Sequence, residues 1–195
     1  MNSEIKDTTL ESVKEHEGLR LKAYKCPANK DTVGYGRNFE DVDFSPHEEK
    51  AMIDYWHKFH NVTSETGMLD CKKLVKEFGI NIALAEHLLA NDLQRAEKSA
   101  RRSCGAFDVY YDSLPDNVQS ALTQMCFQMG SVRWPSMMGK LKEEDFRGAA
   151  LEARDSRWFK QTTRRAKEVT NLMAGESLNT PNLSLIHISE PTRPY

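Results

Sequence analysis

The sequence lacks several features that would identify a function at once. No apolar run reaches the roughly 18 residues of a membrane span, and the first ten residues, Met1 to Leu10, are polar. Neither a signal peptide nor a stable membrane association is therefore expected, and a cytoplasmic start with reduced thiols is. The four cysteines, Cys26, Cys71, Cys104 and Cys126, are isolated, with no CxxC pair. That argues against a zinc cluster and against a disulfide framework. A basic surplus is missing too: 27 Lys and Arg stand against 29 Asp and Glu, a formal charge of -2. A nucleic-acid partner would call for a broad cationic face, so none is expected. No internal repeat is visible.

What remains is a chain of 195 residues, 39% hydrophobic, enough for one good core or two small lobes sharing a long element. Thr8 and Glu11 form a capping-box pattern, followed by Leu10, Val13 and Glu17 on one helical face and Gly18 as a stop. From Leu21 to Phe39 the apolar residues Tyr24, Val33, Tyr35 and Phe39 alternate with small or polar ones. Pro27, Asn29, Gly34 and Gly36 supply turns, which predicts a small antiparallel sheet. After Ser45 the pattern is helical. Ser45-Pro46 with Glu48 opens a helix to about His60, a second is expected from Met68 to Phe78, and Asn81 caps a long one reaching about Arg102. Pro115 starts a further helix that stops at Gly130, and two more are expected at Lys142 to Arg154 and Thr163 to Ala174.

The fold class is thus α+β and mostly α. The divisions are an N-terminal lobe over 8–92, an interlobe helix over 81–103 and a helical lobe over 104–176. Residues 183–195, beginning Leu-Ser-Leu-Ile-His-Ile-Ser-Glu-Pro-Thr-Arg, read as the translation of a sequencing-library adaptor and are set aside.

Chemistry concentrates around Glu17. Glycoside hydrolysis needs a protonated acid at the leaving oxygen and a second group across the sugar to handle water or the sugar cation. A carboxyl ending an apolar helix face suits the acid, because partial burial keeps a carboxyl protonated nearer neutrality. Eight residues separate Glu17 from Cys26 and five more separate Cys26 from Thr32, followed by Val33-Gly34-Tyr35-Gly36. This text resembles the phage lysozyme family (glycoside hydrolase family 24, the T-even endolysin type). Ala121-Leu122, Phe127-Gln128-Met129-Gly130, Ser156-Arg157-Trp158-Phe159-Lys160-Gln161-Thr162 and Arg164-Arg165-Ala166 continue the likeness, which spans roughly Thr9 to Gly175.

The resemblance implies a two-lobed lysozyme-like fold and hydrolysis of the β-1,4 bond between N-acetylmuramic acid and N-acetylglucosamine in bacterial peptidoglycan. Glu17 is then the general acid, Thr32 helps hold water, and Cys26 stands where Asp is usual. Cys26 has three readings: it orders the water, it forms a covalent intermediate, or it merely fills the hairpin. A free thiol titrates at about 8.5, so the first two depend on neighbours that favour the thiolate. Asn38, Phe127, Met137 and Glu152 take the family's substrate-contact positions, with Phe127 equally suited to the core. The resemblance implies no metal and no cofactor, a monomer, and residence in the host cytoplasm until a holin opens the way to the wall. A lytic transglycosylase and a wall-binding protein that has lost catalysis are the competing readings.

Three expectations follow for the structure. Arg37 replaces the family's usual His and should pair with Asp92 on the long helix, leaving any pH dependence to Asp92. The stretch Arg157-Trp158-Phe159-Lys160 should be half packing and half cleft wall, and its positive charge, with Arg164 and Arg165, should attract acidic stem peptides. Residues 45–78, longer than in compact family members, should add a helix to the substrate lobe. His57 and His60 there lack a third ligand for a metal.

Overall fold

The computed structural model describes residues 3–63 and 69–176. The adaptor-like segment lies outside the described residues, as does Met68. Helix α1 (Ser3–Glu17) starts well before Thr8. Thr8 is inside it and donates its hydroxyl back to the Glu4 carbonyl at 3.2 Å, so the expected Thr8–Glu11 capping box is not formed. Glu11 pairs with Lys14 instead. Gly18, at φ +69°, ends the helix as expected.

Strands β1 (Arg20–Lys25), β2 (Asp31–Gly34) and β3 (Arg37–Asn38) form one antiparallel sheet in that order. Tyr24 pairs with Thr32, and Thr32 with Asn38. The β1–β2 loop is closed by Cys26 N–H to the Lys30 carbonyl at 3.0 Å, with Asn29 in the left-handed region at φ 58°. This short hairpin keeps Cys26 and Thr32 together.

Helix α2 (Pro46–His60) carries the expected capping box: Glu48 N–H donates to Ser45 Oγ, and Ser45 N–H to Glu48 Oε2. Helix α3 (Cys71–Phe78) starts later than expected because Asp70 caps it. Helix α4 (Ile82–Gly105) starts at Asn81 and, at 24 residues, is about 36 Å long. Its two halves serve different cores. Leu84, Ala85 and Leu88 pack with Val33, Phe39, Met52, Trp56 and Val75 in the substrate lobe. Ala96, Ala100 and Cys104 pack with Leu122, Met125, Met138, Leu141 and Met173 in the helical lobe. Leu89 and Leu93, between them, hold Val13 of α1. One amphipathic helix with two apolar stretches is what makes the molecule two-lobed.

The helical lobe continues with a single 3₁₀ turn (Tyr111–Ser113), then α5 (Asp116–Met129), α6 (Pro135–Lys142), α7 (Phe146–Arg154), α8 (Arg157–Gln161) and α9 (Thr163–Ala174). The helix expected over Lys142 to Arg154 is interrupted. Glu144 turns left-handed at φ 57°, and Asp145 then caps α7 by accepting from Gly148 N–H at 2.8 Å. Helix α6 was not expected; Pro135 opens it, and Met137, Met138 and Leu141 bury it. Among the described residues, no helix is long and apolar enough to cross a membrane.

Candidate active site

Between the lobes runs a cleft of ≈ 700 Å³, whose lining includes Glu17, Gly36, Arg37, Asn38, Asp92, Arg102, Phe127 and Trp158. Glu17 reaches it because it is the last residue of α1, where the helix meets the sheet. Its side chain is 25% exposed, and its Oε1 accepts from Arg165 Nη1. The other oxygen, Oε2, lies over Gly36, where an added Cβ would stand 3.2 Å from it. Gly36 also sits at φ +88°, a conformation that L side chains rarely adopt. The Gly-aromatic-Gly text therefore has a physical role: it lets the hairpin backbone pass directly beneath the carboxyl.

Arg165 corrects one expectation. It is buried rather than offered to solvent, with its guanidinium 5.7 Å from the centre of the Phe127 ring. Its Nε and Nη2 are buried without an acceptor among the described residues. Its charge is thus spent on holding Glu17 and facing Phe127, not on attracting stem peptides.

Cys26 and Thr32 stand side by side at the hairpin end, outside the cleft lining. Thr32 is buried and Cys26 half-buried. The Cys26 thiol is held below its ordinary value, chiefly by the backbone N–H of Lys30, with partial burial opposing and the Thr32 hydroxyl and Ala28 backbone assisting. The Thr32 hydroxyl has one proton and two acceptors within reach, the Lys30 carbonyl at 3.1 Å and the Cys26 sulfur. It can rotate towards sulfur when the thiolate forms. Tyr24, not singled out in the sequence, lies within electrostatic range of both Glu17 and Cys26, under the Arg20 guanidinium at 4.5 Å. Burial, first, raises its phenol above the ordinary value.

The other proposed contacts divide. Asn38 lines the cleft, but its amide closes the next turn, donating to Asp41 Oδ2 at 2.8 Å and accepting from Glu40 N–H at 3.0 Å. Phe127 is both core and cleft: half-buried, it packs on α1 and α4 residues and lines the cleft. Met137 and Glu152 are not in this cleft. They border a second groove with Trp134, Ser156 and Arg157; Met137 is fully buried because α6 turns its apolar face inward, and Glu152 is exposed.

Arg37 does pair with Asp92, through Nε at 2.9 and 2.8 Å. The same guanidinium also meets Glu48 Oε1 at 2.7 Å and the Leu88 carbonyl at 3.2 Å. Glu48 is wholly buried and accepts from Asn91 Nδ2 at 2.9 Å as well. The sequence had shown Glu48 only as a capping residue. Its second role needs α2 and the hairpin to meet over α4, so the expectation that Asp92 alone carries the pH dependence fails. Burial pushes the Glu48 carboxyl up, but the Arg37, Ser45 and Asn91 hydrogen bonds outweigh it and hold it at about 2.

A helix-borne carboxyl in an interlobe cleft, with a small antiparallel sheet on one side and a helical lobe on the other, defines the class of lysozyme-like cell-wall hydrolases. Comparison with known proteins agrees. Residues 14–174 match the phage lysozyme family, and the chain belongs to it. It is also 27% identical over 175 residues to a protein of Dictyostelium discoideum named "Probable T4-type lysozyme 2", covering 88% of this chain and 94% of that one. The chain is therefore a glycosidase of the muramidase type, with peptidoglycan as its substrate.

Proposed function

We propose that this chain hydrolyses the β-1,4 bond between N-acetylmuramic acid and N-acetylglucosamine and serves host cell lysis. The observation that carries the reading is the Glu17 carboxyl at the cleft, with Oε1 taken by Arg165 and Oε2 open above Gly36. Oε2 delivers a proton to the glycosidic oxygen as the C1–O bond breaks. Water adds to C1 from the opposite face, and its proton passes to the Cys26 sulfur, which takes it as thiolate from the hairpin end bordering the cleft lining. Cys26 so replaces the family's usual carboxylate, with Thr32 stabilising the sulfur. Glu17, now a carboxylate, and Cys26, now a thiol, are reset by proton exchange with solvent. Phe127 and Asn38 face the sugars; contact with Glu152 requires a glycan long enough to reach the second groove.

A second reading rests on the surroundings of the Cys26 sulfur, where the Lys30 backbone N–H and the Thr32 hydroxyl both favour the thiolate. A thiolate is a strong nucleophile, and attack by sulfur on C1 gives a covalent glycosyl-enzyme and retention. Proton NMR of the first product anomer separates the two.

The main test is clearing of permeabilised bacteria by the chain and by Glu17→Gln. The chain clears and the variant, folded to the same melting temperature, does not; equal clearing by both refutes the assigned acid. Mass spectrometry then shows fragments carrying an added water, whereas anhydro sugars would mark a transglycosylase. The proposal also places the enzyme as a monomer in the host cytoplasm, reaching the wall after a holin-like partner opens the membrane. Lysis on co-expression with a membrane permeabiliser, and none without it, tests that placement.

A further inference from the structure

The longer segment that carries α2 and α3 leaves an aromatic cluster at its outer end, away from the catalytic cleft. Tyr55 and Phe59, one turn apart on α2, have ring centres 5.2 Å apart. His60 lies 5.5 Å from Tyr55, and Phe78, the last residue of α3, lies 4.9 Å from His60. Phe59 is 61% exposed. Its burial contributes little to the core, because the substrate lobe is already closed beneath it by Trp56, which is fully buried and donates to the Gly79 carbonyl at 2.9 Å. None of these four rings lines the cleft.

Charge surrounds the rings on one side of the balance. Lys58 stands 5.2 Å from the centre of the Phe59 ring, and Lys22 reaches the Phe78 carbonyl at 3.1 Å. Neither lysine has a carboxylate partner among the described residues, nor do His57 and His60. Nearby Asp54 is already tied to Lys50 at 2.7 Å, and Glu77, exposed beside Phe78, is the acidic neighbour. The patch therefore presents one exposed ring, Phe59, backed by the half-buried Tyr55 and Phe78 and flanked by two lysines that lack a carboxylate partner among the described residues.

We propose that this patch is a second binding surface for peptidoglycan, a platform that holds the polymer outside the cleft. The proposal rests on the wall-lysing function above. Sugar rings present apolar C–H faces that stack on exposed aromatics, and stem peptides present carboxylates that match Lys58 and Lys22. A polymeric, insoluble substrate gains from such a second contact, because one bound segment raises the local concentration of the next at the cleft.

The test uses the full chain with Glu17→Gln, so that binding is measured without cutting, in co-sedimentation with purified sacculi. The double variant Phe59→Ser/Lys58→Glu alters two exposed side chains, and an unchanged melting temperature confirms its fold. It should bind sacculi about tenfold more weakly, the scale of one lost aromatic stack and one reversed charge. In the active background it should clear sacculi more slowly at low enzyme concentration, yet cut short soluble peptidoglycan fragments at the unchanged rate. Equal sacculus binding overturns the platform. So does an equal loss on soluble fragments, which would place the effect in the cleft, or a wild-type chain that dimerises through this face in sedimentation. Failure of the wild type on soluble fragments strikes the muramidase reading instead, and the co-sedimentation result still reports on the platform.

Discussion

Replacing Arg37 by Met removes the cation at the centre of a buried charge cluster while keeping an apolar chain of similar length. Glu48, with no exposed surface, then keeps only Ser45 N–H and Asn91 Nδ2 as close donors, and Arg95 at 4.0 Å. Leaving a buried carboxylate without its partner costs about 3–5 kcal/mol. For a chain of this size that lowers the melting temperature by about 10 °C. The pH dependence should also reverse. In the native protein Glu48 is held at about 2, below its ordinary 4.5. It stabilises the fold above pH 4.5, by about 3 kcal/mol, and loses that contribution as pH falls towards 2. In Arg37→Met, burial becomes the governing influence and lifts the Glu48 carboxyl above 4.5. The resulting penalty is full at neutral pH and vanishes as pH falls below 4.5, where the carboxyl is protonated in both states. Thermal melts at pH 7 and pH 4 should therefore show the deficit relative to the native chain shrinking at the lower pH. Arg37→Met/Glu48→Met should recover most of the loss, short of about 1 kcal/mol for the missing capping contact. A deficit under 1 kcal/mol at pH 7, or one equally large at pH 4, would refute the reasoning.

Three further outcomes are expected. Cys26→Ala should impair wall clearing and Cys26→Asp preserve it, while Thr32→Val should move the pH profile of Cys26 alkylation upward, since the thiolate loses a donor; full clearing by Cys26→Ala would show the thiol to be dispensable. Gly36→Ala should cost about 1–2 kcal/mol in a thermal melt, for backbone strain at φ +88°. It should also lower clearing by more than the stability loss explains, because the new methyl displaces Glu17 Oε2. Glu144→Gly should stabilise the fold by about 0.5–1 kcal/mol in urea unfolding, because Glu144 occupies the left-handed region at φ 57°.

Much of this molecule was legible in the chain because it is written in local chemistry. Ser45 and Asn81 mark helix starts through hydrogen bonds to residues three positions on, and Gly18 and Gly130 mark stops through positive φ. Such signals need no partner distant in sequence. The spacing of Glu17, Cys26 and Thr32 brought them forward as a group only through its likeness to the phage lysozyme family, and the same likeness set Asp92 opposite Arg37. Local signals misled where a longer element absorbed them. The Thr8 box was overridden by a helix already formed upstream, and the 142–154 pattern was broken by the turn at Glu144.

Tertiary structure decided the rest. Glu48 capping α2 is a local fact, but Glu48 beneath Arg37 exists only because the hairpin, α2 and α4 converge. Arg165 lies 148 positions from Glu17, and no periodicity in either segment shows that one guanidinium will hold one carboxylate oxygen. Met137 was drawn from the cleft because α6 had to bury its methionines, and Glu152, on α7, borders the separate groove beside it. By itself the sequence determined which residue types could carry the chemistry and which helices would carry them. Packing determined which of them meet, since the long-range burial that closes two lobes over one helix sets distances that no short stretch of chain encodes.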